Sequence, residues 1–118
     1  MKICLINGKQ VAREVLDRAL SVRLNAEVDP FFCCENALLT PLDYDVFVVY
    51  NNFHKKMNGF QCVKKIRARR PHAFIVGVTS NPNLAERFTS AGVDVALLRS
   101  GNEIAELVDI VRQRVDAA

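Results

Sequence analysis

Tryptophan is absent from the 118-residue chain, glycine and proline number only five and four, and no apolar run reaches the roughly 20 residues that cross a bilayer. Nor is there a repeat, a low-complexity tract or a linker. The N-terminal MKICLINGKQ places Lys2 ahead of an apolar run too short for a secretory signal. These absences set aside membrane and secreted classes and lead to the expectation of a cytoplasmic protein. What is present is ordinary for a globular chain: 50% of residues are hydrophobic and 25% charged. A chain of this length buries about two-thirds of its unfolded surface. One domain over residues 1–118, with a core that needs no metal or disulfide, is therefore expected.

Four cysteines, Cys4, Cys33, Cys34 and Cys62, are irregularly spaced, with no C-x-x-C or H-x-x-x-H pair, and His54 and His72 lie far from the cysteine pair. Neither zinc nor a disulfide framework is expected. Cys4 and Cys62 fall within apolar patterns and are expected to pack as small hydrophobes. Cys33 and Cys34 would point to opposite faces of a strand.

Acidic residues are missing altogether from Val46 to Ala85, where Lys55, Lys56, Lys64, Lys65, Arg67, Arg69 and Arg70 contribute +7. The net +3 thus divides into this basic segment and a remainder with nine basic and thirteen acidic groups, a net of −4. Such an uneven distribution speaks about association, not about fold.

Apolar runs suited to strands alternate with amphipathic stretches. Ile3–Ile6 and Asp45–Tyr50 read as strands buried on both faces, Ala73–Thr79 and Val93–Leu98 as two more, and Glu27–Cys34 as an edge strand because of Pro30. Val11, Val15, Leu16, Ala19 and Leu20 mark a first helix, and Pro41 limits Glu35–Leu42 to a short one. Gly59 opens a third helix with Phe60, Val63 and Ile66 inward, closed at Arg70-Pro71; Leu84–Ala91 ends at Gly92. Ile104, Leu107, Val108, Val111 and Val115 stripe the last helix. Five β-α units with short connections predict an α/β, flavodoxin-like, doubly wound parallel sheet of order 2-1-3-4-5 with about five helices.

In that fold, ligands bind beyond the carboxyl ends of the strands. The clusters there are Asn7-Gly8, Tyr50-Asn51-Asn52, Thr79-Ser80-Asn81 and Arg99-Ser100, and none contains a carboxylate. Asp43 and Asp45 lie at the opposite end of their strand, leaving Glu35 as the one acid at the flank. A magnesium ion wants carboxylate oxygens. No phosphate loop, dinucleotide fingerprint or nucleophile elbow is present, and His54 is the one candidate base near the edge. No metal, no cofactor and no enzymatic turnover are expected.

The stretch YDVFVVYNNFHKKMNGFQCVKKIRARRP, Tyr44 to Pro71, is similar to the phosphorylation strand, loop and third helix of receiver domains of two-component response regulators. Thr79 matches the hydroxyl that ends their fourth strand, and AGVDVALLRS, Ala91 to Ser100, matches the run into the fifth strand and its lysine. The resemblance covers essentially the whole chain. What it implies about chemistry breaks down residue by residue. The paired acids that hold Mg²⁺ fall on Asn7 and Gly8. Counting back from Gly59 places the phosphoacceptor at Asn51, and counting forward along the strand places it at Tyr50. The lysine becomes Arg99 and the aromatic switch residue Ala96. Without carboxylates the pocket does not repel itself. Asn7, Asn51 or Asn52, Thr79 and Arg99 are expected to cross-link by hydrogen bonds and hold one conformation.

The resemblance therefore implies a degenerate pseudo-receiver that recognises a signalling protein or a fused output domain without phosphorylation, with a second copy of the chain a further candidate partner. The family's interaction face maps to 84–114, where Glu86, Arg87, Thr89, Glu103, Glu106 and Arg112 are the exposed candidates. A second reading makes Lys55, Lys56, Lys64, Lys65, Arg69 and Arg70, with Phe53, a surface for nucleic acid or another anion. A third treats the polar edge as a small-ligand sensor using Tyr50 or His54.

Overall fold

The structure, a computed structural model, describes residues 1–53 and 56–117. Along the chain, β1 (Lys2–Ile6), β2 (Glu27–Phe31), β3 (Val46–Tyr50), β4 (Phe74–Thr79) and β5 (Val95–Leu98) alternate with α1 (Gln10–Leu24), α2 (Cys34–Ala37), α3 (Gly59–Arg69), α4 (Pro82–Ala91) and α5 (Glu103–Ala117). The strands pair in parallel in the order β2-β1-β3-β4-β5. This is the expected flavodoxin-like sheet, with β1 and β3 at the switch of strand order.

Alternation along the strands divides the core into two layers. Cys4, Ile6, Phe47, Val49 and Ile75 pack with α2, α3 and α4, whereas Ile3, Leu5, Val48, Tyr50, Val76 and Val78 pack with Leu16 and Leu20 of α1 and Leu107, Val108 and Val111 of α5. A sheet covered on both faces needs strands that are apolar throughout, and β3 is buried at all five positions. Gly77 lets β4 approach α4: a Cβ there would stand 2.6 Å from Cγ of Phe88.

Local signals account for the helix ends. Asn58 and Gln61 form a reciprocal capping box on α3. Asn81 caps α4 ahead of Pro82, two residues earlier than the apolar pattern suggests, and Gly92 closes it at φ 114°.

Three expectations need correction. Val11 and Val15 do not belong to the inner stripe of α1; they are 75% and 52% exposed, because Val11 lies about 140° around the helix from Leu16 and Val15 about 100°. Val115, at the far end of α5, is likewise 48% exposed. The second strand ends at Phe31, so Cys33 and Cys34 are not strand residues: Cys33 is the N-cap of α2 and Cys34 its first residue. Cys62 is no free hydrophobe, since it forms a disulfide with Cys34 across a Cα separation of 5.7 Å. The turn after β2 delivers Cys34 to the face of α3, a proximity that irregular spacing in the chain concealed. Cys4 is a buried free thiol, as expected, and Cys33 is buried and free as well.

Candidate functional site

The site lies where β1 and β3 end side by side. Asn7 is fully buried just past β1, and its Oδ1 accepts from the backbone N–H of Lys9 at 2.9 Å and from Nδ2 of Asn52 at 2.9 Å. Oδ1 of Asn52 in turn accepts from the N–H of Gly8 at 2.6 Å. One side chain from the loop after β3 thus grips two consecutive residues after β1. Arg13 closes the rear of this clamp by donating to the carbonyl of Asn7 at 2.8 Å. The Nδ2 of Asn7 is buried without a partner.

Gly8 is essential to this arrangement. A Cβ built on it would stand 2.5 Å from Cα of Phe53 and 2.6 Å from the carbonyl oxygen of Asn52. The loop backbone therefore fills the space that any side chain at position 8 would need.

The two residues that counting left open for the phosphoacceptor place diverge in direction. Asn51 turns toward α3, where its Oδ1 accepts from the N–H of Gly59 at 2.9 Å. Tyr50 packs in the α1/α5 layer, and its hydroxyl donates to Oε2 of Glu103 at 2.6 Å. Oε1 of Glu103 accepts from Nε of Arg99 at 3.1 Å, so one carboxylate joins the end of β3 to the end of β5 through α5. Burial pushes the Tyr50 phenol well above its ordinary value of 10.0, Glu103 pushes it further, and Arg99 opposes weakly.

Thr79 is 6% exposed; its Oγ1 accepts from the N–H of Asn81 at 3.3 Å, and its carbonyl accepts from the N–H of Arg99 at 2.8 Å. A cleft of about 110 Å³ remains between Tyr50, Asn51, Asn52, Thr79, Ser80, Leu84 and Arg99. All six residues expected at the edge are there, but no single side-chain network joins them: Asn51 bonds Gly59 and Thr79 bonds Asn81. Asn7 and Gly8 are joined by Asn52, and Tyr50 and Arg99 by Glu103. The side chains of Thr79 and Arg99 do not join the asparagines among the described contacts. Glu103 was read as an exposed partner residue; its side chain is 18% exposed. It lies 53 residues from Tyr50, a separation no local pattern reports.

The site does not fit a hard divalent cation. Such an ion needs several oxygen ligands, including carboxylates, whereas the β1 and β3 ends supply amides that already bond one another and a glycine walled in by backbone. Among the described residues, no group of three His, Cys, Asp or Glu side chains converges as a metal cage.

The other candidate surfaces are partly engaged within the chain. On the 84–114 face, Glu86 is exposed, and the guanidinium of Arg87 lies 4.2 Å from the centroid of the Phe60 ring. Thr89 donates to the carbonyl of Ala85, Ser100 donates to Glu106, and Arg112 donates to the carbonyl of Arg23. In the basic segment, Arg69 donates to the carbonyls of Leu38 and Thr40, Arg70 to that of Leu42, and Arg67 to those of Pro71, Ala73 and Gly92. Their guanidinium groups are staples between α3 and neighbouring loops. Lys56, Lys64 and Lys65 remain exposed; Lys55 and His54 lie outside the described residues. No helix of the described chain is long and apolar enough to cross a membrane.

No protein-family model matches the sequence, and no curated protein matches it in sequence. Solved structures do match in shape. The receiver domain of DrrB from Thermotoga maritima, in a BeF3-activated form, superposes at a TM-score of 0.85 with 17% identity, covering 98% of this chain and 97% of that one. The T. maritima response regulator TrrA, in complex with Mg²⁺ and a beryllium fluoride, gives 0.84 and 22% over 95% of this chain and 96% of that one. The receiver domain of a Pseudomonas aeruginosa sensor histidine kinase, with magnesium in its active-site cleft, gives 0.83 and 20% over 95% and 94%. These neighbours are receiver domains, and the chain has their fold.

Proposed function

We propose that this chain is a receiver-like domain of two-component signalling that works by recognising a protein partner without being phosphorylated, and that it is not an enzyme. The observation that carries this reading is the clamp of Asn52 on Asn7 and Gly8. Two of the neighbours hold Mg²⁺; in this chain the corresponding edge is closed by a side chain that bonds both of its walls. A hydrogen-bonded amide neither repels its neighbours nor needs a cation to offset charge, so the edge stays in one state. Function must then come from a surface.

A signalling protein or a fused output domain is the partner class that suits this reading, and a second copy of the chain is the alternative. The chain spans 52% of intact DrrB, a longer response regulator. Residues of the 84–114 face that keep free polar groups, Glu86 foremost, are where contact is proposed, in a cytoplasmic setting. Binding of an anion or nucleic acid is a second reading favoured only by the exposed Lys56, Lys64 and Lys65.

The test is a titration of the protein with Mg²⁺ and beryllofluoride, followed by amide resonances at the ends of β1, β3 and β4. The proposal expects no saturable shift at Asn7, Gly8, Asn51 or Thr79. A saturable shift there, with Mg²⁺ required, contradicts it.

A further inference from the structure

We propose that the Cys34–Cys62 disulfide is a reversible redox latch that seats the start of α2, opened by a low-molecular-weight thiol such as glutathione. The bond joins the first residue of α2 to the first turn of α3, and both cysteines are fully buried. The helix it holds has only four residues and follows an edge strand, so its own backbone hydrogen bonds do little to keep it in place. The polar tie at its start is weak: Oε2 of Glu35 accepts from the N–H of Met57 at 3.4 Å. Oε1 of Glu35 is buried with no partner. A carboxylate oxygen in that condition favours opening to water, and the disulfide opposes it.

Met57 belongs to the same connection as Asn51, Asn52 and Phe53, which close the β1 and β3 ends. On the far side of α2, Arg69 and Arg70 hold the carbonyls of Leu38, Thr40 and Leu42 independently. Opening the bond therefore loosens the first turn of α2 and Glu35, while Arg69 still holds the C-cap carbonyl of Leu38.

The chemistry balances with two equivalents of glutathione. One thiolate attacks a sulfur of the bond and forms a mixed disulfide; the second displaces the protein sulfur. Two electrons and two protons pass to Cys34 and Cys62, which become thiols, while glutathione disulfide forms. Short local openings of the small helix give the attacking thiolate access. Two other buried cysteines, Cys4 and Cys33, are free thiols, so the bond is selective. Bonds of this kind in the cytosol are transient and sensing. In that respect the inference rests on the cytoplasmic setting proposed above.

The experiment equilibrates the full chain in glutathione and glutathione disulfide at stepped ratios, quenches with acid, unfolds and alkylates. The expected result is two labels per chain at the oxidising end and four at the reducing end, with Cys34 and Cys62 changing together. Amide exchange over 34–38 and 56–58 should quicken in the reduced form and stay unchanged in β1, β3 and β4. A C34S/C62S double variant should exchange like the reduced form at every ratio, and C33S should behave as the parent. The inference is overturned by four labels at every ratio, by a bond from Cys33, by two labels that survive excess reduced glutathione, or by exchange indifferent to the bond. A phosphoryl group acquired in both redox forms would instead overturn the phosphorylation-independent reading and leave the latch standing.

Discussion

Tyr50 places a polar group within the α1/α5 layer, where its hydroxyl lies beside apolar neighbours and bonds one carboxylate. Removing it leaves Glu103 with a lost partner, and hydrogen bonds to charged groups contribute about 1.5–3 kcal/mol. Tyr50→Phe should therefore lower unfolding free energy in urea by an amount near the lower end of that range. The pH dependence has a definite sign. The folded-state phenol is raised above its unfolded value near 10, so its contribution is complete below pH ~10 and is lost as pH rises beyond it. Wild-type stability should fall more steeply than that of Tyr50→Phe between about pH 10 and 11; equal slopes would show that the phenol ionises freely when folded. At Gly77 and Gly8, added methyl groups meet a ring and a backbone respectively. Gly77→Ala and Gly8→Ala should each cost about 1–3 kcal/mol by overpacking, measured by the same denaturation. Much of this was legible residue by residue: Asn7, Gly8, Tyr50, Asn51, Thr79 and Arg99 all stand at the edge where the alternating pattern put them. What escaped was pairing. Asn52 was one of two interchangeable neighbours until its bonds to Asn7 and Gly8 singled it out, and Glu103 looked like any acid in the first turn of a helix.

At the level of elements, α3 organises its surroundings from both ends. Its first turn is fixed by the capping box, so Asn58→Ala should cost about 1 kcal/mol, read as a lower urea midpoint with an unchanged slope. Its last turn and C-cap extend Arg67, Arg69 and Arg70 to carbonyls of the surrounding connections. The basic run seen in the sequence is thus divided: Arg67, Arg69 and Arg70 are structural, and Lys56, Lys64 and Lys65 are solvated. Strands β1, β3 and β4 were readable because a doubly buried strand must be apolar, and the ends of α3 and α4 because Arg70-Pro71 and Gly92 stop them locally. Helix α1 was readable in position but not in facing, since Val11, Val15, Leu16 and Leu20 fit an apolar stripe broader than the one the sheet covers. The Cys34–Cys62 bond depends on how the turn after β2 meets α3, and it left no trace in spacing.

For the whole molecule, five parallel strands in the order β2-β1-β3-β4-β5 bring the ends of β1 and β3 together at the switch point. The neighbours with the same fold that hold Mg²⁺ do so in a family whose resemblance places acids where this chain has Asn7 and Gly8. Here the same juxtaposition is held by the Asn52 amide. Of the described basic residues in the +7 segment, Lys56, Lys64, Lys65 and Arg69 are exposed, and Arg69 spends its guanidinium on the carbonyls of Leu38 and Thr40. With so few phosphate contacts on offer, binding to a DNA duplex should be weak and should vanish between low and physiological salt; salt-resistant binding followed by fluorescence anisotropy would require another surface. The central claim is that the edge does not carry phosphoryl chemistry. Intact-mass measurement after incubation with Mg²⁺ and a small acyl phosphate tests it most directly. The mass should be that of the unmodified chain at every time point, and a phosphoryl-sized increment that requires Mg²⁺ would contradict the account.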